Sequence, residues 1–144
     1  MENMFVCIDH VGYAVPDLDA AIAFHTDVLG FRLLHREVNE EQGVAEAMLG
    51  TGSQQPESAQ VQLLAPLTEN STIAKFIGKN GPGVQQVCYR VDDIDAVCAE
   101  LRAKGVRLLY PEPKRGTAGA RINFAHPKDT GGILLELTQP GTEH

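Results

Sequence analysis

The chain has 144 residues, 43% of them hydrophobic, and a formal net charge of −7 at pH 7. This composition is typical of one globular domain, and the negative charge disfavours non-specific binding to nucleic acid. The sequence shows no apolar stretch of about 18 residues that could span a membrane, no signal peptide and no C-x-x-C spacing among its three cysteines, so we expect a cytoplasmic protein with reduced thiols.

The first half of the chain predicts the element order β-α-β-β-β. The segment CIDHVGYAV, which begins at Cys7, alternates in polarity and is rich in β-branched residues, as is typical of a strand. A helix is predicted over 17–30, with Asp17 as its N-cap and Gly30 at its end. Three further strands are predicted in FRLLHREV, VAEAML and AQVQLLAP, which begin at Phe31, Val44 and Ala59.

The second half predicts the same order after a short helical linker. A strand in VQQVCYRV is followed by a helix over 93–105 and by strands over 106–113, 120–127 and 132–139. We therefore expect an α+β protein, with residues 1–144 as a single domain made of two βαβββ modules. The modules would span about 5–66 and 82–140, and their sheets would curve into an incomplete barrel around a metal-binding cleft.

The two halves repeat each other in sequence. The segment IDHVGYAVPDLD, 8–19, shares a V-x-Y-x-V-x-D-x-D skeleton with VQQVCYRVDDID, 84–95, at an offset of 76. Further on, VQLLAP, 61–66, matches LELTQP, 135–140, at an offset of 74. Two copies of one unit of roughly 75 residues explain both matches. The repeat therefore makes His10 equivalent to Gln86, and Gln62 equivalent to Glu136.

Five polar side chains in the predicted strands are candidates for a functional site, namely His10, Glu46, Gln62, Gln86 and Glu136. Alternation puts four of the five in phase with apolar or small neighbours, which is the pattern of a site inside a core-facing surface. A pseudo-twofold axis between the modules would bring the two repeat-related pairs around one point. Four ligand-type side chains on four strands favour a metal site there.

Several phrases resemble the methylmalonyl-CoA epimerases, a branch of the vicinal oxygen chelate superfamily. They are IDHVGYAVPDLDAAIAFHTDVLGF, EQGVAEAML, VQLLAPL, STIAKFIGKNGPG and RINFAHPKDTGGILLEL. The similarity covers nearly the whole chain, and the last phrase is specific to this family within the superfamily. The resemblance implies a divalent metal held by a histidine, a glutamine, a second histidine and a glutamate, which fall on His10, Gln62, Gln86 and Glu136. It also implies that Glu46 and Glu136 are the catalytic carboxylates.

Gln86 is a departure from the ligand set of that family. In the family, the second histidine ligand is one of two adjacent histidines. In this chain those two positions are Gln85 and Gln86. An amide oxygen is neutral, as imidazole is, so the charge of the ligand set does not change. One nitrogen and three oxygens suit Mg²⁺, Mn²⁺ or Co²⁺ better than Zn²⁺ or copper, and we expect weaker but retained metal binding. Alternation puts Gln86 in phase with His10, and Gln85 on the opposite face.

The reaction implied by the resemblance is the interconversion of (R)- and (S)-methylmalonyl-CoA, a step of propionate metabolism, through an enolate. One carboxylate would remove the C2 proton and the other would return it on the opposite face. Arg115, Arg121 and Lys128 are candidates to bind the CoA phosphates, although a basic surface loop is nearly as good an explanation. The family tends to dimerise, so we expect a homodimer.

Three other functions of the same fold remain open at this point. A glyoxalase-type isomerase shares the proton-transfer chemistry and differs in the thiol that carries the substrate. An extradiol dioxygenase needs two histidines and one carboxylate for Fe(II), and Gln86 removes the second histidine. A metal-free module that binds aromatic drugs is disfavoured, because the chain has no tryptophan and only 6% aromatic residues.

The remaining histidines and two of the cysteines are expected to be structural or solvent-facing. His25 follows the apolar stripe of the first helix, and His35 is expected to face solvent. His126 is left between a functional role and the capping of a loop. Cys88 and Cys98 occupy predicted core positions, where a thiol is normally inert.

Overall fold

The computed structural model describes residues 4–52, 55 and 58–141. Within them lie eight strands and three helices: β1 Phe5–Ala14, α1 Leu18–Ala23, β2 Arg32–Asn39, β3 Val44–Gly50, β4 Gln60–Pro66, α2 Thr72–Asn80, β5 Gly83–Val91, α3 Ile94–Ala103, β6 Lys114–Arg115, β7 Arg121–Ala125 and β8 Leu135–Gln139. Contacts divide the chain into two compact units. The first unit is His10–Gln85, and the second unit joins the residues up to Asp9 with those from Gln86 onward.

The first unit contains four hydrogen-bonded strands in the order β2-β3-β4-β1. Strands β2, β3 and β4 form antiparallel pairs, whereas β1 runs parallel to β4. A parallel pair needs a crossover connection, and here the connection includes α1, which packs against one face of the sheet. The core on that face consists of Leu18, Ala47, Leu49, Leu63 and Ala65. The opposite face of this sheet is therefore left to carry other side chains.

The predicted helix over 17–30 forms, but its second half has a different geometry. Asp17 caps α1 by accepting a hydrogen bond from Ala20 N at 3.1 Å, and Gly30 follows with a φ of 75°. Residues Phe24–Val28 form a π-helical turn. There His25 Nδ1 lies 2.8 Å from Ala21 O, and Thr26 Oγ1 donates to Ile22 O at 3.0 Å. These side chains compete with backbone amides for the i−4 carbonyls, which accounts for the wider turn.

The second unit has the strand order β5-β8-β7-β6, with β5 and β8 parallel and the other pairs antiparallel. Helix α3 begins after Asp93, which accepts from Ala96 N at 3.1 Å, as Asp17 does at α1. Its apolar face packs on the sheet in a core of Val91, Ile94, Val97, Cys98 and Leu137. The two copies of the sequence repeat thus build equivalent helix starts.

The strand predicted over 106–113 is wrong. In this stretch only Leu108 makes a bridge, to Ala125, and the edge strand β6 lies further on at Lys114–Arg115. Pro111 and Pro113 lack the amide hydrogens that a ladder requires. The Asn123 side chain bonds instead to the backbone of Tyr110, with Oδ1 accepting from its nitrogen at 3.1 Å and Nδ2 donating to its carbonyl at 3.0 Å.

In the part of the chain that the structure describes, no helix is long and apolar enough to cross a membrane. The longest is α3, with ten residues. Apart from the stretch before β6, the order of strands and helices agrees with the predicted βαβββ pattern in each half of the chain. The organisation of the chain as one domain stays a prediction.

Candidate active site

Glu46 on β3 and Gln62 on β4 are buried neighbours in the first unit, with exposed fractions of 2% and 4%. Gln62 Nε2 donates a hydrogen bond to Glu46 Oε1 over 2.6 Å. A carboxylate removed from water is costly unless it accepts hydrogen bonds, and the amide supplies one without adding charge. Glu46 is therefore held in place by a neutral donor.

The strand register places His10 on the same face as this pair. Gln62 lies opposite Met48 on β3, and Met48 is two residues from Glu46, so Gln62 and Glu46 share a face. His10 lies opposite Gln60 on β4, and Gln60 is two residues from Gln62, so His10 shares that face too. His10 is also buried. The structure thus brings three of the predicted site residues together on one side of the sheet, which we call the carboxylate face (His10, Glu46 and Gln62).

Helix α2 covers one end of the carboxylate face with apolar side chains. Ser71 caps this helix by accepting from Ala74 N at 3.1 Å. Ile73 packs with Ala14, Val44 and Leu64, and Phe76 and Ile77 flank this cluster. The predicted helical linker therefore shields one end of the candidate site from water.

Strand β2 adds two residues to the carboxylate face that the sequence did not point out. Glu37 lies directly opposite Glu46 in the antiparallel register, and directly opposite residues place their side chains on the same side of a sheet. The His35 ring nitrogen Nε2 is hydrogen-bonded to Glu37 Oε1. Along β2, His35, Glu37 and Asn39 are less exposed than the residues between them, as expected where alternate side chains of a strand point to opposite faces.

Glu136 on β8 and Gln86 on β5 form a second buried pair, in the second unit. Their exposed fractions are 6% and 4%, and Gln86 Nε2 donates to Glu136 Oε1 over 3.1 Å. Gln85, its neighbour in the chain, is only half-buried. The structure therefore brings the predicted residues Gln86 and Glu136 together, and it orients Gln86 as a donor to the carboxylate.

Cys88 lies opposite Glu136 across β5 and β8 and is fully buried. Burial raises the pKa of the Cys88 thiol well above its ordinary value, and the negative charges of Glu136 and Asp9 raise it further. Arg90 acts in the opposite direction and is bonded to Asp9, with Nε at 3.0 Å from Asp9 Oδ1. Cys88 is thus a neutral thiol beside a candidate catalytic carboxylate, in agreement with the predicted inert core position.

The three predicted phosphate-binding cations lie at two different ends of β7. Arg115 is opposite Arg121 at the start of the strand, whereas Lys128 lies in the turn that follows its end. Arg121 donates from its two terminal nitrogens to Asp95, at 2.9 and 3.0 Å. This bidentate pair lowers the pKa of Asp95 and neutralises the charge of Arg121.

The other histidines have local structural roles. His25 is buried and contacts the rings of Tyr13, Phe24 and Phe31. His126 accepts from Lys128 N at 3.1 Å and so caps the short turn after β7. Of the two roles weighed for His126, the capping of a loop is the one that the contacts bear out.

The four predicted ligands can supply one imidazole nitrogen and three oxygens. Each glutamine amide donates through its nitrogen to a carboxylate, so its oxygen is the atom that would ligate a cation. All four residues are buried and one of them is a carboxylate. Oxygen-rich donor sets of this kind fit hard or borderline divalent ions.

Comparison with known proteins places these residues in a defined class. The profile of the Glyoxalase/Bleomycin resistance protein/Dioxygenase superfamily matches residues 9–124. The mitochondrial methylmalonyl-CoA epimerase of Homo sapiens is 38% identical over 133 residues, which make up 92% of this chain and 73% of that protein.

Solved structures give the same result. The crystal structure of methylmalonyl-CoA epimerase from Mycobacterium tuberculosis is 52% identical and covers 98% of this chain and 92% of its own, with a TM-score of 0.92. A methylmalonyl-CoA epimerase in complex with methylmalonyl-CoA and NH₄⁺ is 46% identical, covers 96% of both chains and has a TM-score of 0.91. The chain belongs to the methylmalonyl-CoA epimerase family of this superfamily. The predicted α+β fold class and the prediction of an epimerase, an isomerase, are confirmed.

Proposed function

We propose that the chain interconverts (R)- and (S)-methylmalonyl-CoA, with Glu46 and Glu136 as its two acid–base groups. The observation that carries this proposal is the presence of two buried carboxylates, each held by a glutamine amide. Epimerisation at C2 requires one group to remove the proton and another to return a proton on the opposite face. A chain with a single carboxylate of this kind would lack one of the two groups.

The C2 hydrogen is weakly acidic because it lies next to the thioester carbonyl, and its removal leaves an enolate. Glu46 takes the proton, while the Gln62 amide holds the carboxylate through Oε1. Glu136 gives a proton to the other face of C2, while Gln86 holds its Oε1. In the reverse direction the two glutamates exchange these roles, as microscopic reversibility requires.

We assign His10, Gln62, Gln86 and Glu136 to one divalent cation, Co²⁺, Mn²⁺ or Mg²⁺. The burial of all four, their oxygen-rich donor set and their equivalence by the sequence repeat support this assignment. When bound, such a cation supplies positive charge that stabilises the developing negative charge on the thioester oxygen. His10 and the two glutamines are neutral, so the ligands leave most of that charge to act on the substrate.

The CoA phosphates would be bound by Arg115 and Lys128, which are exposed cations of the second unit. Arg121 would have to exchange its carboxylate partner Asp95 for a phosphate. Such an exchange conserves the two charge-assisted hydrogen bonds of the guanidinium group.

The enzyme would act in propionate metabolism in the cytoplasm, where thiols such as those of its free cysteines remain reduced. A homodimer is the assembly that we expect.

Proton NMR of methylmalonyl-CoA in D₂O tests this function directly. With the protein present, the C2 proton should exchange for deuterium and the methyl doublet should collapse, and a chelator should stop this until Co²⁺ is added. Absence of exchange would overturn the function. Exchange that a chelator leaves untouched would overturn only the metal assignment. The hemithioacetal of glutathione and methylglyoxal, the substrate of a glyoxalase, serves as the comparison and should remain unchanged.

A further inference from the structure

Three acidic or basic side chains form a line across β2 and β3 of the first unit, and their exposure increases along it. Glu46 is only 2% exposed, the Glu37 side chain is 15% exposed, and the His35 side chain is 41% exposed. Glu37 is the cross-strand partner of Glu46, and His35 Nε2 is hydrogen-bonded to Glu37 Oε1. The line therefore runs from a buried carboxylate to an imidazole that reaches solvent.

The strand register makes Glu37 and Glu46 cross-strand neighbours on one face of the sheet. The Cβ atoms of directly opposite residues in an antiparallel pair are about 4.5 to 5.5 Å apart. Two glutamate side chains on the same face can span that separation directly or through one water. This spacing allows a proton to pass between the two carboxyl groups.

A β-bulge places His35 on the same face of the sheet as Glu37 and Glu46. The register of β2 against β3 shifts between Leu33, which lies opposite Leu49, and His35, which lies opposite Met48. Without the extra residue, His35 would alternate to the face covered by α1, as Arg36 does. Bulges next to active sites commonly redirect a side chain in this way.

A two-base epimerase must restore the protonation states of both groups after each turnover. After one turnover in a given direction, Glu46 carries the proton that it removed and Glu136 has lost the one that it gave. The enzyme cannot repeat that direction until Glu46 releases its proton and Glu136 regains one. Glu46 is almost completely buried, so its proton needs a route to water.

We propose that Glu37 and His35 form a proton relay that returns Glu46 to its carboxylate form between turnovers. Protonated Glu46 gives its proton to the Glu37 carboxylate, Glu37 passes it to the His35 imidazole, and the imidazolium releases one proton to water. The net change is one proton moved from Glu46 to solvent, and in the opposite direction the same groups deliver one. Neither relay residue touches the substrate; both act through Glu46. This inference rests on the role of Glu46 in the proposed function.

Steady-state kinetics of His35→Gln and Glu37→Gln separate a relay from a structural role. The return of the free enzyme to its starting protonation state follows product release. When this step is slowed in a variant, it lowers kcat but does not enter kcat/KM. We expect kcat and KM to fall together by roughly 10- to 100-fold, below the roughly 10² to 10⁴ that a direct acid or base contributes, since water still carries some protons. The ratio kcat/KM should stay within about twofold of wild type.

Chemical rescue provides the second readout. Imidazole added at constant pH and ionic strength should raise the kcat of His35→Gln with its concentration and should leave wild type unchanged. Arg36→Gln is the matched control, because Arg36 lies between the two relay residues on the same strand but pairs with Asp19. Urea unfolding of each variant checks that the fold is intact.

The relay is overturned if both variants keep the wild-type kcat, if kcat/KM falls in proportion to kcat without a response to imidazole, or if Arg36→Gln shows the same loss. Glu46→Gln distinguishes this failure from failure of the proposed function. An inactive Glu46→Gln together with unaffected relay variants removes only the relay. An active Glu46→Gln removes the role of Glu46 itself.

Discussion

The amide nitrogen of Gln62 lies 2.6 Å from Glu46 Oε1, and the same relationship recurs between Gln86 and Glu136 at 3.1 Å. In each pair both partners are buried and the donor is neutral. A hydrogen bond to a charged group stabilises a fold by roughly 1.5 to 3 kcal/mol, and leaving a buried carboxylate without one costs more. The two pairs belong to different units of the chain.

Glu46→Gln and Glu136→Gln should each reduce epimerisation by about 10² to 10⁴, the usual contribution of one acid–base group. Either variant should still exchange the C2 proton of a single epimer slowly, because the remaining carboxylate serves one face of C2. Deuterium incorporation into each epimer, followed by NMR, measures this. Near-normal turnover in Glu46→Gln would show that Glu46 is not one of the two groups.

Gln86 variants test the departure from the histidine of the family. Gln86→His should lower the metal concentration for half-maximal activity, because imidazole is the stronger ligand for first-row divalent ions. Gln86→Leu should raise that concentration and should also remove the donor to Glu136. Metal titrations of activity decide the point, with Gln85→Leu as the control that should match wild type. Equal half-saturation for Gln86→Leu and wild type would exclude this position as a ligand.

Asp17→Ala and Asp93→Ala should each lower the free energy of unfolding by about 1 kcal/mol, because each removes the N-cap of a helix. Urea denaturation measures both changes. The control Asp92→Ala, next to the second cap, should stay within about 0.5 kcal/mol of wild type. A loss at only one of the two caps would contradict the equivalence of the two helix starts.

The ion pair between Asp129 and Arg107 should make stability fall in acid. Hydrogen bonds from the Arg107 side chain and backbone lower the pKa of Asp129 from 3.8 to about 2. A carboxyl group whose pKa is lowered by folding stabilises the native state above its unfolded pKa. The contribution should therefore be complete above pH 3.8 and disappear as the pH falls towards about 2.

Asp129→Asn tests the direction of this pH dependence of stability. Its urea midpoint should lie below that of wild type above pH 3.8, and the two midpoints should converge as the pH approaches about 2. A difference that persisted unchanged through this range would show that the loss comes from packing and not from titration of the carboxyl group.

Local patterns in the sequence predicted most elements of this protein, because alternation and capping act within a few residues of the chain. The period of two along β3 and β5 put Glu46 and Gln86 at inward positions, and both are buried. The repeat likewise predicted equivalent N-caps at Asp17 and Asp93. The convergence of His10 and Gln62 with the residues of the second unit stays a prediction.

Tertiary structure alone decided which side chains meet across strands. The stretch over 106–113 has an apolar start typical of a strand. The Asn123 side chain, however, hydrogen-bonds to the backbone N–H and carbonyl of Tyr110, and the prolines of this stretch lack the amide hydrogens that a ladder needs. The contact of His35 and Glu37 with the carboxylate face depends on a bulge and on the register of β2 against β3. A one-residue change of register reverses every side chain of a strand, and hydrophobic periodicity does not contain that information, because it describes one strand and not the alignment of two.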